Sequence, residues 1–194
     1  MTEAKLNEIY VSFITELENA GVDTQKLIDF IGEEKIKKSP AGLELSSGLA
    51  FPGALLLLMM TSLRYARKLV NMGENEFCID NNSLTKVVLL HHIGKTLIYD
   101  ENDDEWQRNK RGILYKWVDN ETILKAGERS LYVLQRCGIE LTEQEFEAMK
   151  INDKSDDDKF SMLHITPLSM IVKMADDLSY MRVNYRLKNN ESKN

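Results

Sequence analysis

Apolar residues recur along most of the chain at three- and four-residue intervals. From Lys5 to Glu18, the positions Leu6, Ile9, Tyr10, Phe13, Ile14 and Leu17 fall on one side of a helix, which Gly21 closes. Asp23 or Thr24 caps a second helix carrying Leu27, Ile28, Ile31 and Ile36, broken by Ser39-Pro40-Ala41-Gly42. Residues 41–53 hold three glycines and a proline and predict an irregular loop with about one turn. A long helix follows from Gly53 to Met72, apolar nearly all round over Ala54–Met60 and basic afterwards at Arg64, Arg67 and Lys68; Gly73 stops it. After a polar connection, Ser83 caps a helix with Leu84, Val87, Val88 and His91 on one face, and Gly94 ends it.

The pattern then changes. Leu97–Tyr99 and Ile113–Trp117 are rich in β-branched and aromatic residues, whereas Asp100–Arg111 between them is charged. This predicts a β-hairpin over Thr96–Trp117 with a mobile tip. Helical spacing returns at Glu128–Cys137, with Gly138 behind it. Thr142 and Glu145 form a capping box that opens a helix to about Ile151. Asn152–Lys159 reads as an acidic loop. Pro167 starts a last helix to about Val183, followed by a polar tail.

With 194 residues, 43% hydrophobic and 29% charged, the chain is long enough to bury a core in one domain. Its net charge of −6 argues against general nucleic-acid binding, where neutralised phosphates dominate affinity. The seven-residue apolar run at Ala54–Met60 is far short of the ~20 residues that span a bilayer. No basic-then-apolar leader opens the sequence. Cys78 and Cys137 lie in no metal or redox motif and read as reduced thiols, so the expected setting is cytoplasmic. P-loop, dinucleotide and serine-hydrolase motifs are missing from the sequence.

Two of the three histidines are adjacent, in Leu89-Leu90-His91-His92-Ile93-Gly94-Lys95. On the residues alone, two readings stand. His91 can be a buried, hydrogen-bonded side chain with His92 exposed, since neighbours on a helix point about 100° apart. Alternatively both reach a metal or phosphate from the helix end. Asp176-Asp177 likewise reads either as a solvated face, paired with Arg64 or Arg129, or as part of a site. Met59, Met60, Met170 and Met174 read as core filler, and Asp156-Asp157-Asp158 as a solvated loop without the glycine of a calcium loop.

The segment His91-His92-Ile93-Gly94-Lys95 resembles the His-Asp-Ile-Gly-Lys stretch of HD-domain metal-dependent phosphohydrolases. Four further segments resemble a bacterial and phage-type subgroup of that family, in the same order: Pro52-Gly53-Ala54-Leu55-Leu56, Lys125–Ser130, Leu141–Met149, and His164 through Ser179. The resemblance spans about residues 50–180. It implies a mainly α fold: an HD-domain-like helical bundle with a small β-hairpin insertion. The expected organisation is an N-terminal helical hairpin at 1–40, the HD-like domain at 41–185 and a disordered tail at 186–194.

The departures from the family pattern bear on function. Carried over by resemblance, the first ligand histidine falls at or next to Leu58, the paired Asp is His92, another histidine is Ala126, and a third falls near Asn152. His91, Asp176 and Lys95 are kept. His91, His92 and Asp176 together make a two-histidine, one-carboxylate set that suits Zn²⁺ or Ni²⁺ better than Mg²⁺ or Mn²⁺. Two functional expectations follow. The first is a catalytically inactive binding, regulatory or assembly module without a cofactor. It would hold a protein partner or a nucleotide-like anion at Lys95, Arg64 and Arg129, and a homo-oligomer is compatible with it. The second is a metal-dependent hydrolase of a nucleotide or small phosphate ester with altered ligands, using Asp153 or Glu128 as base.

Overall fold

The computed structural model describes residues 1–72, 76–119, 122–151 and 165–191, with backbone alone at 183, 184 and 186–191. These residues form α1 (Glu3–Asn19), α2 (Thr24–Ile31), α3 (Glu33–Lys38), α4 (Ala54–Met72), α5 (Asn81–Leu90), β1 (Tyr99–Glu101), α6 (Glu105–Arg111), β2 (Tyr115–Trp117), α7 (Ala126–Arg136), α8 (Glu143–Met149) and α9 (Pro167–Glu191). The protein is therefore mainly helical with one small antiparallel hairpin, as the pattern of the sequence predicts. No helix is long and apolar enough to cross a membrane among the described residues.

α4 is the central element. Ala54, Leu55, Leu56, Leu58, Met59, Ser62, Leu63 and Ala66 are all buried, and the helix packs against α9, α5, α1 and α3. Phe13 and Leu17 of α1, Leu27 of α2 and Ile36 of α3 join α4 and α5 in one hydrophobic cluster. Each such side chain contributes roughly 1.5–3 kcal/mol by leaving water. Residues 1–40 thus share their buried face with the rest of the described chain. A bidentate pair ties α1 to α4, with Arg67 Nη1 and Nη2 each 2.7 Å from a carboxylate oxygen of Glu16.

Several local expectations need correcting. The second predicted helix is two, α2 and α3, because Gly32 takes φ +94°, outside helical space. Asp80, not Ser83, caps α5: its carboxylate accepts the Ser83 amide at 2.8 Å. α5 stops at Leu90, and Gly94 lies inside a 3-10 turn, Ile93–Leu97. The hairpin pairs Tyr99 with Trp117 and Glu101 with Tyr115, but its charged tip is helix α6, capped by Asp104 and closed by Gly112. α8 carries the expected capping box, with the Thr142 amide 2.8 Å from Glu145 Oε2 and the Glu145 amide 3.2 Å from Thr142 Oγ1. α9 continues past Val183 to Glu191.

The methionines divide. Met59 is fully buried, but Met170 and Met174 are each 43% exposed on α9 and are not core filler. Cys78 and Cys137 are both free thiols. The expected stop at Gly73 and the acidic loop Asn152–Lys159 lie outside the described residues.

Candidate functional site

The end of α5 builds one side of the site. His91 is the C-cap residue, and its Nδ1 lies 2.9 Å from the Val88 carbonyl oxygen, to which it must donate. In the neutral ring the other nitrogen, Nε2, therefore carries a bare lone pair. At His92 the backbone leaves the α-helix for the tighter 3-10 turn. This shift places the two rings side by side, with centroids 3.9 Å apart, and both ε-nitrogens on Asp176 of α9. A continuing α-helix would have splayed them by about 100°.

Gly94 locks this turn against α7. Its amide donates to Ser130 Oγ at 2.9 Å, and that hydroxyl donates to the His91 carbonyl at 2.8 Å. A Cβ at Gly94 would lie 2.5 Å from the Ser130 nitrogen and 2.8 Å from the Ala126 oxygen, so only glycine lets the backbones approach this closely.

Asp176 is the hub. His92 Nε2 lies 3.1 and 3.0 Å from its two oxygens, and His91 Nε2 lies 3.5 Å from Oδ1. On the far side, Ser62 Oγ of α4 is 3.4 Å from Oδ1 and 3.0 Å from Ser179 Oγ. All three members of the His91–His92–Asp176 cluster are buried. Burial, with the charge of Lys95 adding to it, outweighs the pull of Asp176 and depresses His92 to about 3, so the ring is neutral at pH 7 and donates its Nε2–H to Asp176. Burial alone would raise the Asp176 carboxyl, but the two histidines outweigh it and hold the group ionised. His91 Nε2 is buried and makes no hydrogen bond.

A cavity of about 300 Å³ opens beside the cluster. Ala126 and Gly127 at the start of α7 form one wall, Met149 another, and Asp177 and Tyr180 extend the α9 side. Lys95 reaches in from the 3-10 turn and donates to Tyr180 Oη at 2.8 Å. Burial, then the charge of Asp176, pushes the Tyr180 phenol up, so it stays protonated.

The donor set fits a divalent ion of the zinc or nickel type. One ligand atom from each of His91, His92 and Asp176 lies within 4.8 Å of the others. Two ligands at about 2.0–2.2 Å from a common ion stand about 3.0–3.5 Å apart. The second nitrogen of His91 is already fixed by the Val88 carbonyl, as outer-shell partners fix metal-binding imidazoles.

The structure brings together His91, His92, Lys95 and Asp176. It does not bring in Arg64, which is exposed on α4 with its guanidinium over the Tyr65 ring. Arg129 is buried and donates to the Thr122 carbonyl, away from the cavity lining. Asp177 pairs with Lys173 at 3.3 Å and Asp176 with the histidines, so neither takes the arginine partners considered from sequence. Leu58 is fully buried in the core and is not on the cavity wall; Ala126 is. Glu128 accepts the Lys125 amide at 3.0 Å. Asn152, Asp153 and His164 lie outside the described residues.

Two residues of the site were not picked out by sequence reasoning. Ser62 is a polar residue in an apolar helix, and Tyr180 follows Asp176 by four, one turn along the same face. Both spacings are signals that can be read once Asp176 is fixed as the hub. The chain matches no family model, no curated protein and no solved structure.

Proposed function

We propose that this protein is a degenerate HD-type scaffold that serves as a catalytically inactive binding or regulatory module, holding a small nucleotide-like anion in the cavity beside His91, His92 and Asp176. The observation that carries this reading is the internal satisfaction of Asp176. The carboxylate that would serve a metal already accepts from neutral His92 at 3.0 Å and faces Ser62. The positions that resemblance makes ligands hold Leu58 and Ala126, which have no donor atom. What remains is a polar cavity in which the Lys95 ammonium and the Tyr180 phenol offer donors to an oxyanion, against the negative charge of Asp176 and Asp177 in the same lining.

One observation favours a second reading, a phosphohydrolase with altered metal ligands. The bare, buried Nε2 of His91 facing a carboxylate oxygen at 3.5 Å is an arrangement that a cation between them relieves. Bound there by His91, His92 and Asp176, a transition metal would supply Lewis acidity and activate water.

The test is to purify the protein without tag or chelator and measure its metal content. Binding and turnover of a nucleotide panel are then assayed with Mn²⁺, Co²⁺, Ni²⁺ and Zn²⁺. The first reading expects nucleotide binding that weakens in Lys95→Ala, with no turnover. Turnover abolished by His91→Ala and Asp176→Ala would establish the second reading instead. Neither binding nor turnover would sink both.

A further inference from the structure

Between residues 167 and 182, the exposed positions of α9 are Pro167, Met170, Met174, Asp177 and Met181. Their spacing of three, four, three and four residues is a continuous helical seam, the repeat by which one helix packs along another. A solvated helix face is normally charged. Here four of the five positions are apolar, and Met181 is 66% exposed. Inner neighbours of the same helix, Leu168, Val172, Ala175 and Ser179, are already buried against the core, so the seam is a second, outward face.

We infer that α9 is a homodimerisation helix, pairing antiparallel with α9 of a second copy about a two-fold axis between residues 175 and 176. The charges select the occupant. In this register Met170 lies level with Met181 of the second copy, and Met174 with its Asp177. Lys173 then falls one residue from the level of Asp177 across the axis. Within one chain Lys173 and Asp177 already pair at 3.3 Å. The two-fold operation turns these two pairs into a closed ring of two lysines and two aspartates, with methionine layers above and below. The surface is thus complementary to itself, as an isologous interface requires. The buried charge ring fixes the register, since displacing the helices by one turn in one direction would bring Asp177 level with Asp177 of the second copy, and in the other would set it level with Met170 and three residues from the level of the nearest lysine across the axis. Methionine suits such a seam because its unbranched side chain fills irregular gaps. Asp177 also lines the cavity, so the seam runs past the rim of the candidate site.

Sedimentation of the full chain over about 1–100 μM is expected to show a reversible monomer–dimer equilibrium, reporting a micromolar-or-tighter interface. Met174→Glu, at an exposed position, is expected to weaken the dimer by about tenfold or more while leaving the circular-dichroism melt unchanged. Lys173→Glu alone is expected to weaken it, and Lys173→Glu combined with Asp177→Lys to restore it, because the ring is rebuilt with its signs exchanged. In a Cys78→Ser background, Met170→Cys protein mixed with Met181→Cys protein is expected to cross-link under oxidation. A monomer at every concentration overturns the inference and leaves the seam to a different protein. A dimer indifferent to Met174→Glu overturns it by placing the interface elsewhere. Cross-linking of Met170→Cys protein to itself overturns the antiparallel register.

Discussion

Replacing Gly94 by alanine tests how the site is assembled. The added carbon would sit 2.5 Å from the Ser130 nitrogen, 2.8 Å from the Ala126 oxygen and 2.8 Å from the Arg129 carbonyl carbon. All three are backbone atoms in the first turns of α7, so no side chain can swing aside. Relief requires the 3-10 turn and α7 to separate, and with them the bonds from Gly94 to Ser130 and from Ser130 to His91, at 2.9 and 2.8 Å. Overpacking of a tight contact costs about 1–3 kcal/mol, and loosening two buried hydrogen bonds adds about 1 kcal/mol each. The expected loss is about 3–5 kcal/mol, or about 6–20 °C in Tm for a domain of this size. Gly138→Ala is the control. Gly138 has φ +65° with nothing within 4 Å, so alanine there meets only the left-handed backbone penalty of about 1–2 kcal/mol. Differential scanning calorimetry of the three proteins decides the matter. If Gly94→Ala melts within a degree or two of the parent, the close approach of the two backbones is not a constraint and the account of the site's assembly fails.

Three further outcomes follow from buried polar groups. Glu145 is buried and held by Lys86 at 2.8 Å and the Thr142 amide at 2.8 Å; Glu145→Gln should lower stability by about 1–3 kcal/mol at pH 7 in urea melts. Burial raises the Glu145 carboxyl, but these partners outweigh it and hold the group below its usual range. Its contribution is therefore complete above the ordinary glutamate range and disappears as pH falls through the lowered value, so parent and variant should converge in acid; a constant difference down to pH 3 would count against the ion pair. Tyr10→Phe should be neutral or stabilising by up to about 1 kcal/mol, because Tyr10 Oη is buried without a partner; a clear fall in the urea midpoint contradicts this. Ser62→Ala should cost about 1–2 kcal/mol by removing the hydroxyl between Ser179 and Asp176, and an unchanged melt would show that Asp176 does not depend on it.

Much of the helical frame is legible in the sequence because it rests on local chemistry. Phe13 and Leu17, the all-apolar start of α4, and the Thr142–Glu145 box each declare their role within a few residues. Misreadings occur where a distant partner decides. Gly94 looks like a helix stop, but it serves a close approach to α7, thirty-odd residues on. The charged stretch 105–111 looks like a loose tip because its capping by Asp104 and its anchoring through Asn102 compete with the strand pattern on either side. At the site, the adjacency of His91 and His92 and the residue types of Lys95 and Asp176 mark candidates that the fold brings together. Arg64 and Arg129 stand out by charge alone, and charge does not fix direction. Composition alone places Met170 and Met174 in the core, yet their phase on α9 is opposite to that of Val172 and Ala175.

The central position of α4 has a consequence for biosynthesis. Its principal packing partner, α9, begins roughly ninety-five residues after α4 ends. At about 5–20 residues per second, a ribosome needs about 5–20 s to make that interval. Throughout it, α4 can be sheltered by α1, α3 and α5, but the side bearing Ser62 stays open to water or to other nascent chains. The same delay applies to Asp176, so His91 and His92 are made long before the carboxylate that organises them. Release of the nascent chain from a holding chaperone should therefore coincide with synthesis of α9, and a stalled chain ending before residue 167 should be retained.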